Sequence, residues 1–432
     1  MTMTLLESSR AAWEACGNIR ATRRRLKRFT YGQQWDDAVR DTDGNMISDE
    51  EHARRCGRRP ITNNLIRSLV KSVVGRFRRE LMDRKETGDE RLKAIGLANR
   101  LDELDARALE EFLISGCAIQ KVSYERRFEG SGVWIDNVNP DRFFCNRYLD
   151  PRGFDIRLIG MLHEMSLHEM KMRFGHNNRR RLRDISNIFS RSVAMRPQLG
   201  LLASPLGICD TGVLFNAASD PSLCRVIEVW TFEGDSRSGG AWHGRFFTPD
   251  GTMIDQTVSP YRHGSHPFVV NMYPLTDGEV HPFIEDVIDQ QRHINQLITM
   301  IDHILAHSAK GALLFPVDAI PAGGSFESTI RMWSKPGAVI PVNARASRMP
   351  SEVVSSARSE GASQLLDLEM NMFRQISGVS TALQGQPMGG NMSASLYETQ
   401  VQNSAIALLD IFETFNSFRS VRDGKALMAV DC

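Results

Sequence analysis

The sequence predicts an α+β fold, with a mixed α/β first part followed from about residue 280 by long helices. Three observations carry this. Short runs at 118–124, 133–138, 226–232, 244–248 and 268–272 alternate with the period of a strand. Over 282–309 apolar residues instead recur at three- and four-residue steps, the mark of a helix with one buried face. The 432 residues are 41% hydrophobic and 24% charged, an ordinary folded composition that can fill two or three cores. No stretch approaches the ~18 uninterrupted apolar residues of a membrane span. The start, Met1-Thr-Met-Thr-Leu-Leu-Glu7, lacks the charged-then-apolar form of a secretory leader, so the chain is expected in a cytoplasm. Seven cysteines with no Cys-x-x-Cys pair point to free thiols rather than disulfides or zinc.

The elements follow in chain order. Residues 5–40 read as helical and basic, with Arg20, Arg23, Arg24, Arg25, Lys27 and Arg28, and end in the cluster Phe29-Thr-Tyr-Gly-Gln-Gln-Trp35. Such a run is a solvated or subunit-facing helix side, or alternatively a nucleic-acid contact. Ile66, Leu69, Val70, Val73 and Val74 place a helix to about residue 81, and 91–115 forms another. Residues 150–155 form a turn, and Ser166 caps a short helix at 167–174. The stretch 179–222, opening on Arg179, Arg180, Arg181 and Arg183, reads as irregular polar surface.

In 282–309 the buried stripe is Ile284, Val287, Ile288, Ile294, Leu297, Ile298, Ile301, Ile304 and Leu305. At about 1.5 Å per residue this helix spans roughly 40 Å, long enough to pack against copies of itself. Glu285, Asp286, Asp289, Gln290, Gln291, His293 and Asp302 make the opposite face acidic, with Arg292 nearly alone against them. The segment 310–350 breaks into short strands at 312–317 and 338–342, separated by Pro321, Gly323, Gly324, Pro336 and Gly337. Lys310, Arg331, Lys335, Arg345 and Arg348 outnumber Asp318 and Glu327 there, so this insert can meet an acidic partner or phosphates. A second helix, 351–376, carries Leu365, Leu368, Met372 and Ile376 on one face. Residues 378–391 are too glycine-rich to be regular and lack a Gly-Lys-Ser phosphate signature, so they form a loop. Asn391 or Ser393 then caps a helix at 392–422 with Val401, Leu408, Phe412 and Phe415 on its apolar side.

Catalytic chemistry nearly appears in four places. His163 and His168 lie five apart where a zinc helix needs four, and His303 and His307 have the spacing without the following glutamate or a third ligand. The loop from Asp41 to Glu51 begins like a calcium loop but lacks the glycine at its sixth position and places His52 at its twelfth, so an acidic turn is the plainer reading. His176-Asn-Asn-Arg179 is nuclease-like only superficially. We expect no catalytic residues, no metal and no cofactor. A metal-dependent hydrolase or nuclease, and a helical adaptor or scaffold binding through the 282–309 helix, stand as the alternative classes.

Several segments, taken in order, resemble the portal proteins of tailed bacteriophages, the head-to-tail connectors, particularly those of short-tailed phages. They are Tyr31-Gly-Gln-Gln-Trp35; Arg59-Pro-Ile-Thr-Asn-Asn64 through Val74-Gly-Arg-Phe-Arg-Arg-Glu80; Val138-Asn-Pro-Asp-Arg-Phe-Phe144 with Tyr148-Leu-Asp-Pro-Arg152; Met165-Ser-Leu-His-Glu-Met170; Gln290-Gln-Arg-His-Ile-Asn295; and Ile376-Ser-Gly-Val379 with Leu383-Gln-Gly385. The resemblance covers residues 25–425.

It implies a portal fold: a mixed α/β wing at 1–281, stem helices at 282–309 and 351–377, and a small β-containing clip at 310–350. A tunnel loop at 378–391 and a kinked tunnel helix returning to the wing at 392–432 complete it, with the crown absent or truncated. It also implies a ring of about twelve copies at one capsid vertex of the virion, assembled in the host cytoplasm. Double-stranded DNA would pass through it; the terminase large subunit, a head-to-tail adaptor, the major capsid protein and scaffold would be partners, and no membrane. On this plan Gln384, Gln386, Met388 and Asn391 touch the duplex, and Lys335, Arg345 and Arg348 dock the motor and adaptor. A passing duplex must not stick, and each phosphate neutralised by Lys or Arg adds binding, so the acidic balance of the first stem helix suits a channel wall.

Overall fold

The structure is a computed structural model. It describes residues 2–83, 89–127, 130–150, 152–176, 178–194, 213–235, 239–272, 279–308, 312–320, 325–333, 341–343, 348, 351–353, 360–379, 406 and 408–429. The mixed α+β class stands. Two helices, α1 (Thr2–Ala15) and α2 (Gly17–Thr30), lead into a hairpin of β1 (Ala38–Arg40) and β2 (Met46–Ser48) and then α3 (Asp49–Arg55). Helical character therefore stops at Thr30 rather than running to residue 40. Then come α4 (Leu65–Asp83), α5 (Glu90–Asn99), α6 (Leu101–Ser115), β3 (Cys117–Arg127), β4 (Gly130–Asn137), β5 (Phe143–Cys145) and β6 (Leu158–Met165). They are followed by α7 (Leu167–Phe174), α8 (Arg179–Ala194), β7 (Cys224–Asp235), β8 (Gly239–Phe247), β9 (Met253–Val258) and β10 (Phe268–Met272).

The expected helix at 91–115 is two helices, broken at Arg100 with φ 51°. Asn99 explains the break. Its amide donates to the carbonyls of Ile95 and Val133 and accepts from Ile135 N–H, tying the helix end to β4. The expected irregular stretch after 179 begins instead as α8. Ile185, Ile188 and Phe189 pack there beside Phe174 and Phe246, a stripe hidden in the sequence by the arginines around it. Ser166 caps α7 in a full capping box with Glu169, and the turn at 150–155 closes through Gly153 N–H on the Asp150 carbonyl at 2.7 Å.

Strands form an antiparallel meander β5-β6-β7-β8-β9 and a three-stranded sheet β10-β3-β4. The residues Cys117–Ser123 of β3 are all buried, because the chain's last described helix, α12 (Leu409–Ala429), packs on this sheet together with α6. Phe77 of α4 meets Phe415 edge-on at 5.4 Å, and Leu69, Leu109 and Phe268 complete the same core at 0% exposure. Each such side chain contributes about 1.5–3 kcal/mol on burial. Early and late sequence thus share one interior.

The long helix opens as a 3-10 turn at Phe283–Val287 and continues as α9 (Ile288–Ser308). In the insert, β11 (Ala312–Leu314) pairs with β12 (Ser351–Val353), and α10 (Phe326–Trp333) is a helix the sequence reading missed. Of the second run, 338–342, residues 341–342 have no strand structure and the rest lie outside the described residues. The second long helix begins at Glu360, not 351, as α11 (Glu360–Ser377), because Ser351–Val353 is drawn into the β11 ladder. Helix α12 runs on to Ala429, past the expected end at 422, with Leu408, Phe412 and Phe415 buried as expected; Val401 lies outside the described residues.

Candidate functional site at the long helix pair

Helix α9 is held by a polar stripe at i, i+4 and i+8, namely Gln291, Asn295 and Thr299, all within 2% of full burial. The segment 61–64 and the first turn of α4 lie along this stripe, and no neighbouring strand satisfies their main-chain N–H groups. Side chains do so instead. Ile61 N–H donates to Thr299 Oγ1 at 3.0 Å, Asn63 N–H to Asn295 Oδ1 at 2.9 Å, and Leu65 N–H to Gln291 Oε1 at 2.9 Å. Gln291 Nε2 donates back to the Asn63 carbonyl at 2.7 Å. Asn295 Nδ2 reaches Gln34 Oε1 at 2.6 Å, while Gln34 Nε2 donates to the Phe29 carbonyl and Asn64 Nδ2 to the Thr30 carbonyl. Trp35 Nε1 donates to Thr62 Oγ1 at 3.1 Å.

Three of the segments that carried the family resemblance, around Trp35, Asn64 and Asn295, therefore meet at one interlock. Gln291 is correspondingly not on the acidic outer face where the sequence reading put it. Asp286 and Asp289 stay exposed there, Asp302 is exposed farther along the helix, and Arg292 turns to Asp37 and Asp49 at 3.9 and 3.7 Å.

The second helix lies against the first. His293 Nδ1 meets Glu369 Oε1 at 3.0 Å, Phe373 is 4% exposed, and Leu366 and Met370 pack beside it on the core. The apolar stripe read from the sequence, Leu365, Leu368, Met372 and Ile376, is 38–54% exposed. Helix α11 thus has two apolar faces. One contacts its own chain, and the second has no cover among the described residues.

The basic run of α2 is largely spent inside the chain. Arg23 bonds Glu111 at 2.6 Å and Asp141 at 2.6 Å, Arg25 bonds Asp37, and Arg20 stacks on Trp13 at 3.8 Å. Arg348 sits at an exposed bend, whereas Lys335 and Arg345 lie outside the described residues, as do Gln384, Gln386, Met388 and Asn391.

Two of the near-catalytic motifs are otherwise engaged. His163 bonds Glu228 at 2.6 Å, and burial holds its pKa down at about 4, while His168 is exposed. Asp41 closes a hairpin turn on Thr42 N–H and pairs with Arg55 at 2.6 Å. Among the described residues no group of three or more His, Cys, Asp or Glu is placed to hold a metal ion. Cys16, Cys56, Cys117, Cys145 and Cys224 are free thiols.

Sequence reasoning missed the burial of Gln291, Asn295 and Thr299. Their four-residue spacing on a single helix face was the available signal. Comparison with curated proteins gives no match. The family model described as phage P22-like portal protein matches residues 6–429, a span that contains the interlock and both long helices, and the chain accordingly belongs to the P22-like portal protein family of phages.

Proposed function

We propose that copies of this chain close into a ring of about twelve at the capsid vertex, with 282–309 and 351–377 as stem, 310–350 as clip, 378–391 as tunnel loop, 392–432 as tunnel helix and 1–281 as wing. As a portal, the chain forms the passage through which double-stranded DNA is packaged and ejected. The observation that carries the ring is the second apolar face of α11. A helix whose Leu365, Leu368, Met372 and Ile376 stay exposed after its opposite face is buried has surface left for a neighbour. Contacts of one patch against a different patch on the next copy close into rings. The exposed Asp286 of the 3-10 turn and Asp289 and Asp302 of α9 suit a wall that phosphates slide past.

Gln384, Gln386, Met388 and Asn391 touch the duplex in this reading. Lys335, Arg345 and Arg348 dock the terminase large subunit and then the head-to-tail adaptor. The major capsid protein and scaffold surround the ring, which has no catalytic activity and is assembled in the host cytoplasm. Negative-stain imaging with mass determination tests it. A closed ring with an axial hole is expected; a chain that stays monomeric even with capsid and scaffold proteins present would overturn the reading.

A further inference from the structure

We propose that the groove between strand β10 and helix α12 is a docking site for one extended, carboxylate-bearing peptide segment of a partner protein, which adds to the β10 edge as an extra strand. The inference does not depend on the ring.

β10 is the outer strand of its sheet. Val122 N–H donates to the Pro267 carbonyl at 2.8 Å, and the antiparallel register runs from Phe268↔Lys121 to Met272↔Cys117. Alternation in such a ladder turns the main-chain groups of Val269 and Asn271 toward β3 and those of Phe268, Val270 and Met272 away from it. At Phe268 the outward groups are already used: its carbonyl accepts from Lys425 Nζ at 2.8 Å and its N–H donates to His266 Nδ1. From Val270 to Met272 the edge instead borders a groove of about 960 Å³, walled opposite by the α12 face that carries Glu413, Ser417, Val421 and Lys425. Those residues span about 18 Å along the helix, which matches five or six residues of strand at about 3.3 Å each.

Two side chains on the groove point to a ligand. Asn271 is 9% exposed, lines the groove, and its Nδ2 has no hydrogen-bond partner. Lys425 directs two N–H groups to the His266 and Phe268 carbonyls, leaving a third for an incoming carboxylate. Its burial lowers its pKa to about 7, so a carboxylate beside it would restore its charge. Arg152, on the rim, is already paired with Asp150. Val421 and Phe154, 52% and 76% exposed, add apolar contact for alternate side chains of the guest. The occupant proposed is an isolated segment rather than the β9 edge of a second copy, which would bring β8 behind it. A strand seated between an edge strand and a helix is a recurring mode of peptide recognition.

The probe is an N-acetylated, C-amidated hexapeptide of alternating valine and threonine ending in aspartate, titrated onto the full chain and followed by anisotropy and amide hydrogen exchange. Saturable binding with slowed exchange over 268–272 is expected, weakened at least fivefold when the last residue is lysine. Val270→Pro removes an outward N–H without removing a hydrogen bond to β3, so it should abolish binding while exchange at Val269 and Asn271 stays as protected as in wild type. Equal affinity for V270P, or no binding to the full chain, overturns the proposal. So does a photo-crosslinker replacing Val421 that reports the groove already filled, by a second copy or by the chain's own residues.

Discussion

Lys121 on β3 and Glu228 on β7, 107 residues apart, join the two sheets through hydrogen bonds of 2.7 and 2.6 Å at 6% and 0% exposure. His163 and Arg173 converge on the same carboxylate. Burial works to raise the Glu228 pKa, but the Lys121 and Arg173 charges and the His163 hydrogen bond outweigh it and hold the group well below the usual carboxylate range. Burial lowers Lys121 as well, so the two ends pull in opposite directions. With one carboxylate met by two cations and an imidazole, the ionised Glu228 dominates. Glu228→Gln strands Lys121 in the interior and should cost about 3–5 kcal/mol. A urea midpoint unchanged from wild type would refute this.

Acid should weaken the fold through the same cluster. Glu228's contribution is present above the ordinary carboxylate pKa and is lost as pH falls through its depressed folded value. His163, held at about 4 by burial against 6.5 in the open chain, adds a loss between pH 6.5 and 4, because the unfolded chain binds its proton first. His163→Gln keeps a donor for Glu228 and removes the titration. Urea midpoints measured across that window should therefore slope less in the variant.

The interlock on α9 predicts a sharp contrast between adjacent positions. Asn295→Ala leaves Asn63 N–H and Gln34 Oε1 unpaired and should cost about 1–3 kcal/mol. Gln296→Ala, at an exposed neighbour, should stay within about 0.5 kcal/mol. Amide exchange over 61–66 should rise only in the first.

The exposed stripe of α11 separates stability from assembly. Leu368→Asp with Met372→Asp should leave the isolated chain's melting temperature nearly unchanged, since both are already 54% and 41% exposed. Ring formation by mass and imaging should be lost. Rings from this variant would move the subunit contact elsewhere.

Charge reversal at Lys335, Arg345 and Arg348 should leave rings intact while packaging or tail attachment falls. Shortening 384–391 should leave assembly intact while particles retain less DNA. Unimpaired packaging and attachment in the first, or full-length genomes stably held in the second, would remove those segments from the roles proposed for them.

The strand at 118–124 was legible from its short run, although its residues through Ser123 are all buried, and the helical stripe from Ile284 because it lies against one core. Ser351–Val353 was not, since its strand exists only through β11 nearly forty residues earlier. The stripe on α11 was visible as apolar, but periodicity does not say which of two apolar faces the chain itself covers. Gln291 read as an outer polar residue, and only the segment leading into α4, whose N–H groups at Ile61, Asn63 and Leu65 need acceptors, explains why it and Asn295 are buried.

Asp105 on α6 is fully buried, and its carboxylate is met by Arg419 at 2.7 Å and by Arg422, both on α12. A ribosome adding about 5–20 residues per second needs roughly 15–60 s to reach Arg419 after Asp105. Throughout that interval the early helices and β3 lack both the cations and the phenylalanines of α12. The first core therefore closes last, and a chain interrupted before α12 lacks the counter-charges that allow Asp105 to sit inside it.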